Sequence, residues 1–242
     1  VFADLSSIVL RLAIIVGSLA VHEAAHGLAA RWLGDPTASR LGRITLNPLK
    51  HLDLQGSLIV PGLLLASQWA AGTNSSLVFG WAKPVPVDPG YFRRPFLGMA
   101  LVAAAGPASN ILLALAGAQL LEGAQLAGFG LRDPHAMILL PFVAINVALA
   151  LFNMIPVPPL DGSKILWGPL FPFMPDGFRR WYANLPPGQR LFGPILAVLA
   201  IGFALYLLGF DPLGWFNWLW RVAFLNVLAF IFAVTDFAWA WL

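Results

Sequence analysis

Cysteine is absent from this chain. Disulfides and thiolate metal sites are therefore excluded, and the redox compartment leaves no mark on the sequence. Charge is scarce as well. Asp, Glu, Lys and Arg supply 10% of the 242 residues, where a soluble domain carries about a quarter. No basic tract interrupts the sequence, so nothing marks a nucleic-acid partner. No stretch reads as an added soluble module, and no internal repeat is visible. What is present is apolar: 59% of residues, with a mean hydropathy of +0.79 and ten Trp. Long apolar runs in lipid must be helices, because the bilayer offers backbone groups no partner. The composition predicts an all-α polytopic membrane protein made of a single membrane-embedded domain over 1–242.

The first apolar run, residues 5–33, carries the chain's most informative stretch, Val21-His22-Glu23-Ala24-Ala25-His26-Gly27. It reads H-E-x-x-H. Histidines at i and i+4 share one helical face, so both imidazoles can reach one ion. Zn²⁺ takes His nitrogens, and a catalytic zinc keeps a position open for water. Glu23 is placed to act as general base on that water. The alternative is two satisfied core histidines and a buried Glu, but ionisable groups in an apolar helix are costly and usually functional. The pair lies about 26 Å along the helix from Leu5, near the far membrane face rather than the midplane. Because this run holds the metal motif, it does not read as a removable signal peptide. Gly34-Asp35-Pro36 should stop the helix.

Further along, residues 37–54 are mixed and polar, with a short strand expected at Arg43–Leu46. His51 and Asp53 follow, read either as a second polar cluster or as a solvated loop. Residues 57–71 are apolar but short for a span, and Pro61-Gly62 interrupts them. Alternating Pro and Val in Lys83-Pro84-Val85-Pro86-Val87 favours an extended or edge-strand conformation, so short strands are expected in the 37–47 and 79–88 loops. Residues 97–121 form an apolar helix rich in small residues, which admit close helix approach. Within it, Gly106-Pro107 predicts a kink, with Asn110 as interhelical glue. Residues 136–153 form the next helix, with His135 at its start assigned no role. Three prolines among Pro156, Pro158 and Pro159 forbid helix beyond Asn153, and Asp161 opens a new short helix. Residues 164–190 suit an interface, and 191–209 and 215–242 are two more spans. Trp215, Trp218 and Trp220 mark one membrane boundary, Trp239 and Trp241 the other.

A zinc site needs a third ligand, and Asp161 is the best-placed carboxylate, in an irregular Pro-lined segment. Its partnership with His22 and His26 requires helices 5–33 and 136–153 to run the same way and helix 97–121 to return. Residues 57–71 should then dip in and come back, giving five full transmembrane helices plus a re-entrant segment (six spans if it crosses). Charge agrees. Of the 14 Lys and Arg, Arg132 alone falls in a loop on the opposite face, Arg11 and Arg221 lie within helices, and the rest gather on the zinc face. The positive-inside rule makes that face cytoplasmic, in a cell membrane.

Taken together, H-E-x-x-H in the first helix, Gly-Pro-x-x-Asn at 106–110 and Asn153-x-x-Pro-x-Pro-x-Leu-Asp161-Gly162 resemble the site-2 protease family of intramembrane zinc metalloproteases. Leu46-Asn47-Pro48-Leu49-Lys50-His51 and Gly80-Trp81-Ala82-Lys83-Pro84-Val85-Pro86 are similar to its compact bacterial and archaeal branch. The resemblance spans about residues 10–165. It implies one Zn²⁺ per chain held by His22, His26 and Asp161, Glu23 as catalytic base, and Asn153 holding the substrate or its oxyanion. It also implies a transmembrane protein or peptide as substrate, cut in or near the bilayer, with a catalytic core over about 5–165 and accessory helices over 190–242. No PDZ-like insert or nucleotide-sensing tail is expected. Two competing classes remain: a membrane zinc hydrolase acting on lipid-linked substrates, and a non-enzymatic membrane protein with a metal site.

Overall fold

A computed structural model of the chain describes residues 5–51, 53, 83–186, 197–198, 200–202, 204–205 and 207–239. Helix α1, Leu5–Trp32, is 28 residues long, about 42 Å at 1.5 Å per residue. It ends where Gly34 adopts φ 106°. That left-handed residue lets Asp35 N donate back to the Ala30 carbonyl at 2.9 Å, closing the helix as a glycine past the C-terminus does. The Asp35 carboxylate is fully buried. One oxygen accepts from Thr37 N at 2.8 Å and starts α2, Thr37–Arg40. The other accepts from Asp88 N, also at 2.8 Å. Burial alone would raise the Asp35 pKa. Hydrogen bonds from Thr37 and Asp88, with the nearby Arg40 charge, outweigh it and hold the group below its ordinary value.

The expected strands do not form: among the described residues there is none. Gly42 turns the chain at φ 61°, and residues 43–47 run irregularly into a 3-10 turn at Pro48–Lys50. The facing segment 83–88 joins no ladder: Pro84 and Pro86 have no N–H to give, and Val85 gives its own to the Glu23 carboxylate. One side chain and one backbone bond join the two loops instead. The Arg43 guanidinium donates to the Lys83 carbonyl at 2.7 Å, and Lys83 N donates to the His51 carbonyl at 2.8 Å. Residues 79–82, and the dip expected at 57–71, lie outside the described residues.

Helix α3, Pro95–Leu126, is the centre of the fold and longer at both ends than its apolar run suggested. It packs against α1, against α4 (Pro134–Asn153), against α5 (Asp161–Leu170) and against α7 (Pro212–Trp239). Small residues permit this: a Cβ at Gly98 would meet the Phe92 ring at 2.5 Å, and one at Gly117 would meet Phe142 at 2.7 Å. A core of Ala114, Ala118, Val143, Val147 and Ile231 joins α3, α4 and α7. The short α6, Asp176–Asn184, lies between α5 and α7 in the chain. Helices α1, α3, α4 and α7 are long and apolar enough to cross a membrane. Their outward side chains stay apolar, as Leu12, Leu112, Leu120 and Phe230 show by being more than half exposed. A surface of that kind faces lipid, and the chain is a membrane protein. The fifth expected span, 191–209, is described only in part.

Candidate metal centre

The two ends of the zinc motif converge on the third ligand expected from it. His22 and His26 stand on one face of α1 with their rings edge to face, centroids 4.7 Å apart. Asp161, 139 residues beyond His22, reaches them because the chain unwinds after α4 and re-enters at α5. Its Oδ2 lies 3.1 Å from Nε2 of His22 and 3.1 Å from Nε2 of His26. All three residues are buried. The sequence expected Asp161 to cap α5, but Leu160 holds that position and no side chain caps it. The carboxylate is instead the first helical side chain, turned inward. Gly162 allows this, since a Cβ there would run into the Met154 and Ile155 carbonyls.

The imidazole tautomers follow from what the other ring nitrogens touch. His22 Nδ1–H donates to Asn110 Oδ1 at 2.6 Å, and His26 Nδ1–H donates to the Val102 carbonyl at 2.7 Å. A neutral imidazole has one N–H, so both Nε2 atoms present lone pairs to a carboxylate oxygen. Three acceptors brought together with no proton between them call for a cation. In a tetrahedral zinc shell with bonds of about 2.0–2.1 Å, ligand atoms stand roughly 3.3 Å apart, close to the two 3.1 Å separations found here. The donor set therefore fits zinc. Both histidines also give their second nitrogen to a fixed acceptor, the arrangement that metal-binding histidines almost always show.

Two further groups complete the carboxylates. Lys164 Nζ sits 3.3 Å from Asp161 Oδ1, leaving Oδ2 to the histidines. Glu23 has a ligand atom within 4.8 Å of those of both histidines. Its Oε2 accepts from Val85 N at 2.9 Å. The extended Pro-Val segment thus spends its central N–H on the glutamate, which removes it as a donor to an added strand.

Other expected residues are placed differently. Asn153 does not face the ligands through its amide nitrogen, which donates to the Leu149 carbonyl at 3.0 Å within its own helix. His51 is buried, with its Nε2–H given to the Thr45 carbonyl at 2.8 Å, a bond that holds its loop. Asn110 is more than glue, for it grips His22. Sequence reasoning missed Asn146, Ser18 and Lys164, and read Gly106 as part of a kink rather than as a neighbour of the histidines. Asn110 Nδ2 donates to Asn146 Oδ1 at 2.9 Å, and Asn146 Nδ2 donates to Ser18 Oγ at 3.0 Å. A Cβ on Gly106 would stand 2.5 Å from Nε2 of both histidines. The legible signals were polar side chains inside apolar spans, with Ser18 one turn before His22 on the same face.

The chain is 39% identical over 156 residues to the provisionally named zinc metalloprotease YwhC of Bacillus subtilis, covering 63% of this chain and 65% of that protein. It is 28% identical over 206 residues to the provisionally named zinc metalloprotease Rip2 of Mycolicibacterium smegmatis, covering 82% and 69%. The chain thus spans just under two thirds of the first relative's length. No family model matches it, and no solved structure does.

Proposed function

We propose that the chain belongs with the site-2 protease family, as its resemblance to two zinc metalloproteases supports, and that it is an intramembrane zinc metalloendopeptidase, hydrolysing peptide bonds in or near the transmembrane segments of other membrane proteins. One observation carries this reading: His22 Nε2, His26 Nε2 and Asp161 Oδ2 converge as acceptors, with the Glu23 carboxylate beside them, at one end of lipid-embedded helices. A bound zinc would supply Lewis acidity, lowering the pKa of a water towards about 7 and polarising the scissile carbonyl. One Zn²⁺ per chain is the stoichiometry this ligand set supports.

The chain's own residues do the rest. The Val85 N–H fixes Glu23 Oε2, which leaves Oε1 to take a proton from the attacking water and to deliver it to the leaving amine. Asp161 and the histidines stay deprotonated at the atoms that face the ion. Asn153 would bind the developing oxyanion only after its amide leaves Leu149 or through its second hydrogen. A helical substrate hides its carbonyls, so a segment must unwind before it reaches the centre.

The ligands lie at the C-terminal end of α1, beyond the C-terminal end of α4, and beside the first half of α3. Lys83 returns to His51 on this same side, as a chain that dips rather than crosses between them requires. Arg43, Lys83, Arg93 and Arg94 gather there, which supports a cytoplasmic orientation in the cell membrane. The test is cleavage of model transmembrane peptides by the reconstituted chain, with and without chelator. Activity is expected only with metal, and Glu23→Gln should abolish it while zinc stays bound. Chelator-resistant cleavage, or full activity in Glu23→Gln, would refute the mechanism.

A further inference from the structure

A line of four buried polar side chains ties α1, α3 and α4 together beneath the metal centre: His22, Asn110, Asn146 and Ser18. Asn110 and Asn146 are fully buried, and Ser18 and His22 are 2% exposed. Polar groups this deep in a bundle are costly unless every partner is satisfied. A packing role needs no particular direction along such a line. The far end of this one imposes a direction.

Asn146 Nδ2 donates to the Phe142 carbonyl at 2.9 Å as well as to Ser18. A backbone carbonyl can only accept. The amide nitrogen of Asn146 must therefore face it, and the amide oxygen must face Asn110. Against that oxygen Asn110 must present its own nitrogen, which turns its oxygen to His22. His22 must then carry its proton on Nδ1 and offer a lone pair from Nε2 to the site of the ion. Were Asn146 reversed, two amide nitrogens would confront each other. Asn110 would relieve the clash by turning its nitrogen to His22, and the imidazole proton would move to Nε2, where it blocks coordination.

We propose that Asn146 is a positioning residue for metal binding: anchored by the Phe142 carbonyl, it orients Asn110, and through Asn110 it selects the His22 tautomer that can hold a metal. Asn146 touches neither ion nor substrate. The proposal rests on the reading of His22 as a metal ligand.

The experiment measures zinc affinity of the full chain in detergent by competition with a chromogenic chelator, so that its readout does not depend on cleavage. Asn146→Leu should bind zinc about 10- to 100-fold more weakly, the range seen when groups behind metal ligands are lost. In the double variant Asn110→Asp/Asn146→Leu, affinity should return to within a few-fold of wild type, because an aspartate at 110 accepts from Nδ1 in either orientation. Unchanged affinity in Asn146→Leu overturns the proposal. So does loss that Asn110→Asp does not restore, since that marks a packing role. Should Asn146→Leu fail to fold, Asn146→Asp carries the test. It still accepts from Asn110, so zinc affinity should hold, and a tenfold or greater loss in a folded protein overturns the proposal. His22→Ala separates the two readings. If it still binds zinc at wild-type affinity, the metal centre itself is wrong, whatever Asn146 does.

Discussion

A single methyl group at Gly106 tests the metal centre without touching a ligand. A Cβ built there lies 2.5 Å from Nε2 of His22 and 2.5 Å from Nε2 of His26. Carbon in ordinary contact needs about 3.5 Å, so each nitrogen would have to retreat by roughly 1 Å. Zinc–ligand distances tolerate about 0.2 Å. The rings cannot give way freely, because Asn110 and the Val102 carbonyl hold them from behind. Overpacking of this kind costs about 1–3 kcal/mol, and loaded onto the two ligands it weakens zinc binding about 5- to 150-fold. Gly106→Ala also replaces a helix-interior glycine, which in water favours the helix by up to about 1 kcal/mol. Helix content should therefore survive while metal affinity falls. Gly17→Ala is the control, for a Cβ at Gly17 meets nothing within 4 Å. Zinc titration and circular dichroism on both variants read the two effects separately. Wild-type zinc affinity in Gly106→Ala would refute the placement of the histidine pair against α3.

The other expectations are simpler. Asp161→Ala should lower zinc content by removing the ligand oxygen 3.1 Å from both histidines, and unchanged stoichiometry by elemental analysis would remove Asp161 from the ligand set. Asn153→Ala should reduce kcat more than it raises KM if the amide meets the oxyanion, a contact worth about 3–4 kcal/mol where it has been measured; a change confined to KM would point to substrate holding alone. Asp35 has a folded pKa below its ordinary value. Its contribution to stability is therefore complete above the ordinary carboxylate pKa of about 3.9 and is lost as pH falls through the folded value. Asp35→Ala should lower thermal stability at neutral pH and flatten that acid-side loss, as read by melting in detergent across pH 3–7. An unaltered acid profile would show that the clamp from Asp35 to Thr37 and Asp88 does not carry it.

Sequence was enough where physics acts locally. The scarcity of charge dictated helices in lipid, the i, i+4 spacing set two imidazoles on one face of α1, Gly34 closed that helix, and prolines after Asn153 broke α4 before Asp161. The strands were misread for a reason sequence hides. Alternating Pro and Val does extend the backbone, but whether an extended segment joins a ladder depends on who claims its N–H groups, and Glu23 claims that of Val85. Asn110 does glue helices, through bonds to His22 on α1 and Asn146 on α4, but an amide inside an apolar helix announces a partner without saying which.

Only the folded chain decides what lies across from what. It brings an oxygen 139 residues away to within 3.1 Å of two nitrogens, sets Gly106 as the floor beneath them, and turns a serine and two asparagines from three helices into one directed line. Periodicity and motif are properties of neighbours along the chain, whereas a ligand's tautomer and a glycine's necessity are fixed by atoms that only packing makes adjacent.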